Sequence, residues 1–240
     1  MTRSPRSWWP DLLLAAGFLG VTGALLADRL LDLDVAVSHW CDGNRPPLPG
    51  LAARLGNYLG QGGALTLLCA ALALFLARRR HSVRPVLPVL AAFALAVATL
   101  QPLKSLTARP APHAELAHPE VLGTGGQSYP SGHLVNALVW YGVLALLLAP
   151  WLTPAWQRAV RVVPPAVLAV TTVYLGYHWL TDTVAGLLLG LLLDRLLRRI
   201  PWDRVPMGRR LTGSGWAGPG LPGPAQPGQT SVAMDLRGSS

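Results

Sequence analysis

Three stretches of the 240-residue chain run without a formal charge for long enough to cross a bilayer: Leu55 to Ala77, Pro85 to Leu103 and Val162 to Thr181. A helix needs about 20 mainly apolar residues to traverse ~30 Å of hydrocarbon. Composition agrees, with 13% charged residues against 51% hydrophobic, where a soluble domain carries roughly 25% charged residues. Walking from charge to charge adds Leu12 to Ala27, about His133 to Leu152, and Thr183 to about Ile200. The fold expected is all-α: a polytopic membrane protein with a six-transmembrane-helix bundle over residues 1–200. The first run is short, and the sixth reaches full length only by including Asp194 and Arg195. Arg195 is expected to snorkel to the interface and Asp194 to pair with Arg198 at i, i+4.

The net charge of +9 raises the question of nucleic acid, and the placement of the charge answers it. Lys104 is the sole lysine; the other basic residues are arginines gathered at the ends of apolar runs, not a patch interleaved with exposed aromatics. No nucleic-acid partner is expected. With the N-terminus cytoplasmic, six spans leave 15 basic residues on the cytoplasmic side and 5 on the other, as the positive-inside rule prefers. Trp8, Trp9, Trp151, Trp156 and Trp202 then fall at the cytoplasmic interface, where aromatic rings are favoured. The first run also resembles a signal peptide, but position 25 is Leu where a small residue is wanted, so its retention is expected. Residues 211–230 hold ten Gly or Pro, and residues 201–240 are read as a disordered cytoplasmic tail. Two cysteines make no disulfide framework, and no phosphate-binding loop or internal repeat is present.

This topology collects the loops 28–54, 104–132 and 176–182 on the outer face. Lys104, His133, His178 and Asp182 each stand at the end of an apolar run on that side, where ionisable groups are costly unless paired or used. The segment from Gly125 to His133 reads Gly-Gly-Gln-Ser-Tyr-Pro-Ser-Gly-His before an apolar helix. Open amides at such a helix start favour an anion; a cap with a snorkelling histidine is the plainer reading. His178 and Asp182 are four apart, so on one helix the carboxylate can hold one ring nitrogen while the other meets a substrate. A buried polar pair that stabilises the bundle is the alternative. Lys104 either ends its helix at the interface or aims a compact ammonium at a phosphate oxygen. His39, His81, His113 and His118 have no such arrangement. A zinc site from His113, His118 and His133 or His178 lacks the helical spacing and the cysteines that zinc sites use, so no metal is expected.

Taken together, Lys104 with Arg109-Pro110, Ser128-Tyr129-Pro130-Ser131-Gly132-His133, and Val173 to Asp182 followed by Ala185-Gly186 resemble the type 2 phosphatidic acid phosphatase and haloperoxidase superfamily. The resemblance covers about residues 55–200. It implies that His178 attacks phosphorus and forms a phosphohistidine, that Asp182 orients it, and that His133 protonates the leaving alkoxide. Lys104, Ser131 and the Gly132 amide would hold the phosphoryl oxygens, with neither metal nor other cofactor. Two positions depart from the family pattern. Its first Arg-Pro pair falls on Ala111-Pro112, so Arg109 is two residues early, and its third motif opens Ser-Arg where this chain has Thr171-Thr172. Arg109 swinging inward, and a neutral hydrogen bond from Thr172, would be the replacements. The resemblance thus implies a hydrolase of a lipid phosphate in the bilayer, phosphatidate-like or a polyprenyl phosphate or diphosphate, at the outer face. A degenerate relative that binds lipid phosphate without turnover is the alternative. A transporter would need polar groups near mid-bilayer, and here they gather at one face.

Overall fold

The computed structural model describes residues 7–205, among which no strand occurs. Eight α-helices follow in order: α1 (Trp9–Leu26), α2 (Leu31–Gly43), α3 (Pro47–Asn57), α4 (Gly62–Arg79), α5 (Val86–Thr107), α6 (Gly132–Leu147), α7 (Pro154–Tyr174) and α8 (Leu180–Arg199). Residues 206–240, most of the expected disordered tail, lie outside the described residues, as do Arg3 and Arg6. Pro201 to Val205, also assigned to the tail, stay on the bundle: Trp202 packs against the core and donates its indole N–H to the Leu197 carbonyl at 3.0 Å.

Among the described residues three helices are long and apolar enough to cross a membrane: α1 and α4, each of mean hydropathy 1.5, and α5 at 2.0. α6 is apolar throughout but only 16 residues long, so it does not run on to Leu152. The faces that α1, α4 and α5 turn outward carry Leu13, Leu19, Leu67, Phe75, Leu90 and Phe93, each more than half exposed. Contiguous apolar surface on that scale belongs against lipid, not water, and the molecule is an integral membrane protein. The remaining expected spans are redrawn. α7 starts at Pro154 with Arg158 and Arg161 in its first turns and stops at Tyr174, seven residues before Thr181. α8 opens at Leu180, not Thr183. The expected outer loop 28–54 is mostly helical, because α2 and α3 are short amphipathic segments whose apolar positions never form a long run.

α6 is the hub. Leu134, Val135, Ala137, Val139 and Trp140 are all essentially inaccessible, and α6 packs against α4, α5, α7 and α8. Small residues let α8 come close: a Cβ added at Gly186 would lie 2.8 Å from the Ser131 carbonyl oxygen, and one at Gly190 would lie 2.7 Å from Leu138. α1 lies along α8, and Phe18 stacks on Tyr129 with ring centroids 6.3 Å apart. At the end of the bundle where α1 begins and α8 finishes, Asp194 takes Arg198 at 2.8 Å, the i, i+4 pair expected, and also Arg161 at 3.0 Å. Arg195 does not reach out alone to the interface: its Nε meets buried Asp11 at 3.0 Å, and Arg199 meets the same carboxylate.

Candidate active site

The other end of the bundle gathers the start of α4, the end of α5, the starts of α6 and α8, and the turn after α7. Lys104 sits one turn before the end of α5, where Ala108 turns left-handed (φ 40°) and Pro110 prevents continuation. The loop from there to Ser131 folds back on α5. Ser128 donates its amide to the Arg109 carbonyl at 2.7 Å, and Thr107 Oγ1 donates to the Tyr129 carbonyl at 3.1 Å. The Tyr129 hydroxyl pairs with Thr22 Oγ1 at 2.6 Å, tying the loop to α1, and burial pushes its phenol pKa up. Ser131 caps α6 by accepting from the Leu134 amide, which leaves the Gly132 and His133 amides as the open donors of that terminus. After α7, Gly176 adopts φ +70°, a conformation open to glycine, and a side chain there would strike His113. That turn delivers His178.

His178 and Asp182 therefore meet differently from the expected i, i+4 pair on one helix. His178 precedes α8, Trp179 is its N-cap, and Asp182 stands in its first turn, accepting from the Trp179 amide at 3.1 Å. The ring Nδ1 of His178 lies 3.7 Å from Asp182 Oδ2, beyond hydrogen-bond reach. Ser128 bridges them, its Oγ 3.1 Å from His178 Nδ1 and 2.5 Å from Asp182 Oδ2. Asp182 only accepts, so the single Ser128 proton points to it, and Ser128 in turn accepts from Nδ1–H of His178. The tautomer so fixed leaves Nε2 of His178 with its lone pair, 3.1 Å from His133 Nδ1.

Behind Asp182 runs a second buried layer. Arg109 Nη1 donates to Asp182 Oδ1 at 2.7 Å and to Thr181 Oγ1 at 2.8 Å, and its Nη2 donates to Asp34 Oδ2 at 2.6 Å. Arg109 Nε donates to the Glu120 carbonyl at 2.8 Å, so each of its three nitrogens is engaged. Asp34, from α2, also accepts from the amide of Thr181 at 2.9 Å and from its hydroxyl at 2.5 Å. Arg109, Asp34 and Asp182 are all fully inaccessible.

The pocket in front of His178 encloses about 460 Å³ and is lined by Gly60, Gln61, Gly62, Lys104, Ala111, Gln127, Ser128, Gly132, His133, Asn136, Tyr177 and His178. Among the residues named from sequence, Lys104, Gly132, His133 and His178 converge there. Lys104 Nζ donates to the Gln127 carbonyl beside it. Ser131 is fully buried as the α6 cap, and its amide donates to the Asp182 carbonyl at 2.9 Å. Thr172 lies buried inside α7, its hydroxyl given to the Leu168 carbonyl at 2.6 Å, and Arg109 stands behind Asp182; neither lines the pocket. Ala111 does. Sequence reasoning passed over Ser128, although it opens the block containing Pro130 to His133, and it passed over Asp34, Gln61 and Asn136. His113 pairs with Asp42 at 3.1 Å and His118 with Glu120 at 3.2 Å, neither lines the pocket, and among the described residues no three His, Cys, Asp or Glu side chains are grouped to hold a metal.

The site is thus a histidine pair, a buried Asp–Arg–Asp layer and a lysine at one end of a bundle of apolar helices in a membrane protein. Residues 85–206 match the model of the PAP2 superfamily, and the chain belongs to that superfamily. It is similar to an undecaprenyl-diphosphatase of Sulfolobus acidocaldarius, 38% identical over 63 residues, which are 26% of this chain and 28% of that protein. It is also similar to phosphatidylglycerophosphatase B of Bacillus subtilis, 36% identical over 77 residues, 30% of this chain and 37% of the relative. The matched stretches thus span about a third of these curated relatives. The crystal structure of a transmembrane PAP2 type phosphatidylglycerolphosphate phosphatase from Bacillus subtilis superposes with a TM-score of 0.67 at 25% identity, covering 79% of this chain and 94% of that one.

Proposed function

We propose that this protein hydrolyses a lipid phosphate, phosphatidate-like or a polyprenyl phosphate or diphosphate, at the outer membrane–water interface of a six-span bundle whose termini are cytoplasmic. The observation that carries the reading is the continuous line Asp182–Ser128–His178–His133, which ends in the pocket beside Lys104. His178 Nε2 attacks phosphorus as the P–O bond to the leaving group breaks, and His133 Nδ1–H gives its proton to the departing oxygen, an alkoxide from a monoester or a phosphate oxygen from a diphosphate. Water then attacks the phosphohistidine, loses its proton to His133 and frees His178 with inorganic phosphate. Lys104 and the open amides of Gly132 and His133 face the phosphoryl oxygens as negative charge builds. The chemistry requires no metal in this scheme.

A second reading, lipid phosphate bound without turnover, is favoured by one feature: Lys104 is the only Lys or Arg among the pocket-lining residues, and Ala111 stands where the family pattern has arginine. Phosphate release by detergent-purified protein and His178→Ala, over a panel of lipid phosphates with chelator present, separates the two. Release by the wild type that vanishes in His178→Ala is the expected result. Binding of the same lipids with no release from any would establish the second reading.

A further inference from the structure

The second large cavity, about 850 Å³, lies at the opposite end of the helices from His178. Helix lengths fix the separation. α4 starts at the catalytic pocket and delivers Arg80 to this cavity, and α8 runs from Asp182 to Arg198, so at ~1.5 Å per residue the two lie roughly 24–27 Å apart. That is close to the ~30 Å of a hydrocarbon core, so a catalytic pocket at one interface puts this cavity near the other.

Its lining divides in two. Leu146, Leu147, Pro88 and Trp202 make an apolar wall continuous with the core, and Arg80, Arg84, Arg198 and Arg204 supply the polar rim. Arg198 is neutralised by Asp194 at 2.8 Å. Arg80, Arg84 and Arg204 are exposed and have no carboxylate partner among the described residues; Arg80 instead stacks on Trp151, 5.5 Å from its ring centroid. Asp203 is the only carboxylate on the lining. Residues 206–240 carry three arginines against one aspartate, so their composition offers no net negative charge to match these arginines.

We propose that this cavity binds an anionic phospholipid of the leaflet opposite the catalytic pocket, its headgroup phosphate among Arg80, Arg84 and Arg204 and its acyl chain against Leu146 and Trp202. Near-surface arginines each add measurably to anionic-lipid affinity, and three of them correspond to a preference of roughly tenfold to a hundredfold over a zwitterionic lipid. The choice of leaflet rests on the proposed placement of the catalytic pocket at one interface, whereas binding itself does not, because a phosphodiester lipid such as phosphatidylglycerol is outside the proposed hydrolysis.

Native mass spectrometry of the full-length protein with equimolar phosphatidylglycerol and phosphatidylcholine tests it. The expected result is one phosphatidylglycerol retained per chain with that preference, lost in R80Q/R84Q/R204Q and in Ser82→Trp, which fills the cavity without changing its charge. Lys104→Gln, at the other end, leaves the preference intact. No preference in the wild type, loss in Lys104→Gln with retention in Ser82→Trp, or displacement of the lipid by sn-glycerol 3-phosphate alone would each overturn the proposal.

Discussion

Asp34→Asn probes the buried layer without touching the pocket. The Asp34 carboxylate accepts three hydrogen bonds, from Arg109 Nη2 at 2.6 Å, the Thr181 amide at 2.9 Å and the Thr181 hydroxyl at 2.5 Å. Asparagine keeps one acceptor oxygen and presents an NH2 in place of the other, so in either orientation a donor faces a donor. It also removes half the negative charge around Arg109, which is fully inaccessible and has Asp182 as its only other carboxylate. Breaking a buried pair by removing one partner costs about 3–5 kcal/mol. At roughly 2–4 °C per kcal/mol for a chain of this size, the Tm should fall by about 6–20 °C. Cys41 and Cys69 are both free and buried, so a thiol-reactive fluorophore reports the unfolding of detergent-purified protein directly. A variant melting within about 1 °C of the wild type would refute the claim that the Arg109 charge depends on Asp34.

Ser128→Ala removes the only bridge between His178 and Asp182, a buried charge-assisted bond worth about 1.5–3 kcal/mol, so kcat for phosphate release should fall roughly 10–100-fold with little change in KM. An unchanged kcat would mean that the 3.7 Å gap between His178 and Asp182 closes without the serine. Ala111→Arg places a charged donor on the pocket wall and should raise kcat by about 10²-fold, or create activity if the wild type has none. A binding-competent Ala111→Arg protein with unaltered turnover would show that the missing guanidinium does not limit the rate.

The residues legible from sequence are those that local rules place. Lys104, Gly132, His133 and His178 abut apolar runs, so the topology that ends those runs also brings their side chains to one face. The i, i+4 spacing of His178 and Asp182 gave the right neighbours for a different reason, because the chain turns at Gly176 and the helix begins only at Leu180. Asp34 was out of reach of such rules. It is one of three aspartates close together in a polar stretch, and its partner Arg109 is 75 residues away, so only the packing of α2 against the bundle selects it. The short helices α2 and α3 were read as loop because neither carries an apolar run of spanning length.

Arg109 and Ala111 divide the electrostatics of the site between its two sides. For Arg109 to swing into the pocket it would have to leave Asp34 and Asp182 facing each other unneutralised in a fully buried layer, which costs more than a phosphate contact returns. The guanidinium is therefore committed to the His178 side, where Asp34 and Asp182 around Arg109 leave one net negative charge behind the ring. In the proposed mechanism that charge lies behind the ring whose Nε2 bonds to phosphorus while Nδ1 keeps its proton toward Ser128. On the pocket side Lys104 is the only Lys or Arg among the lining residues, and Gln61 and Asn136 bring neutral side-chain amides to the same wall. A neutral donor is worth about half of a charge-assisted one, so under the proposed function this pocket holds a phosphate less firmly than one with arginine at position 111.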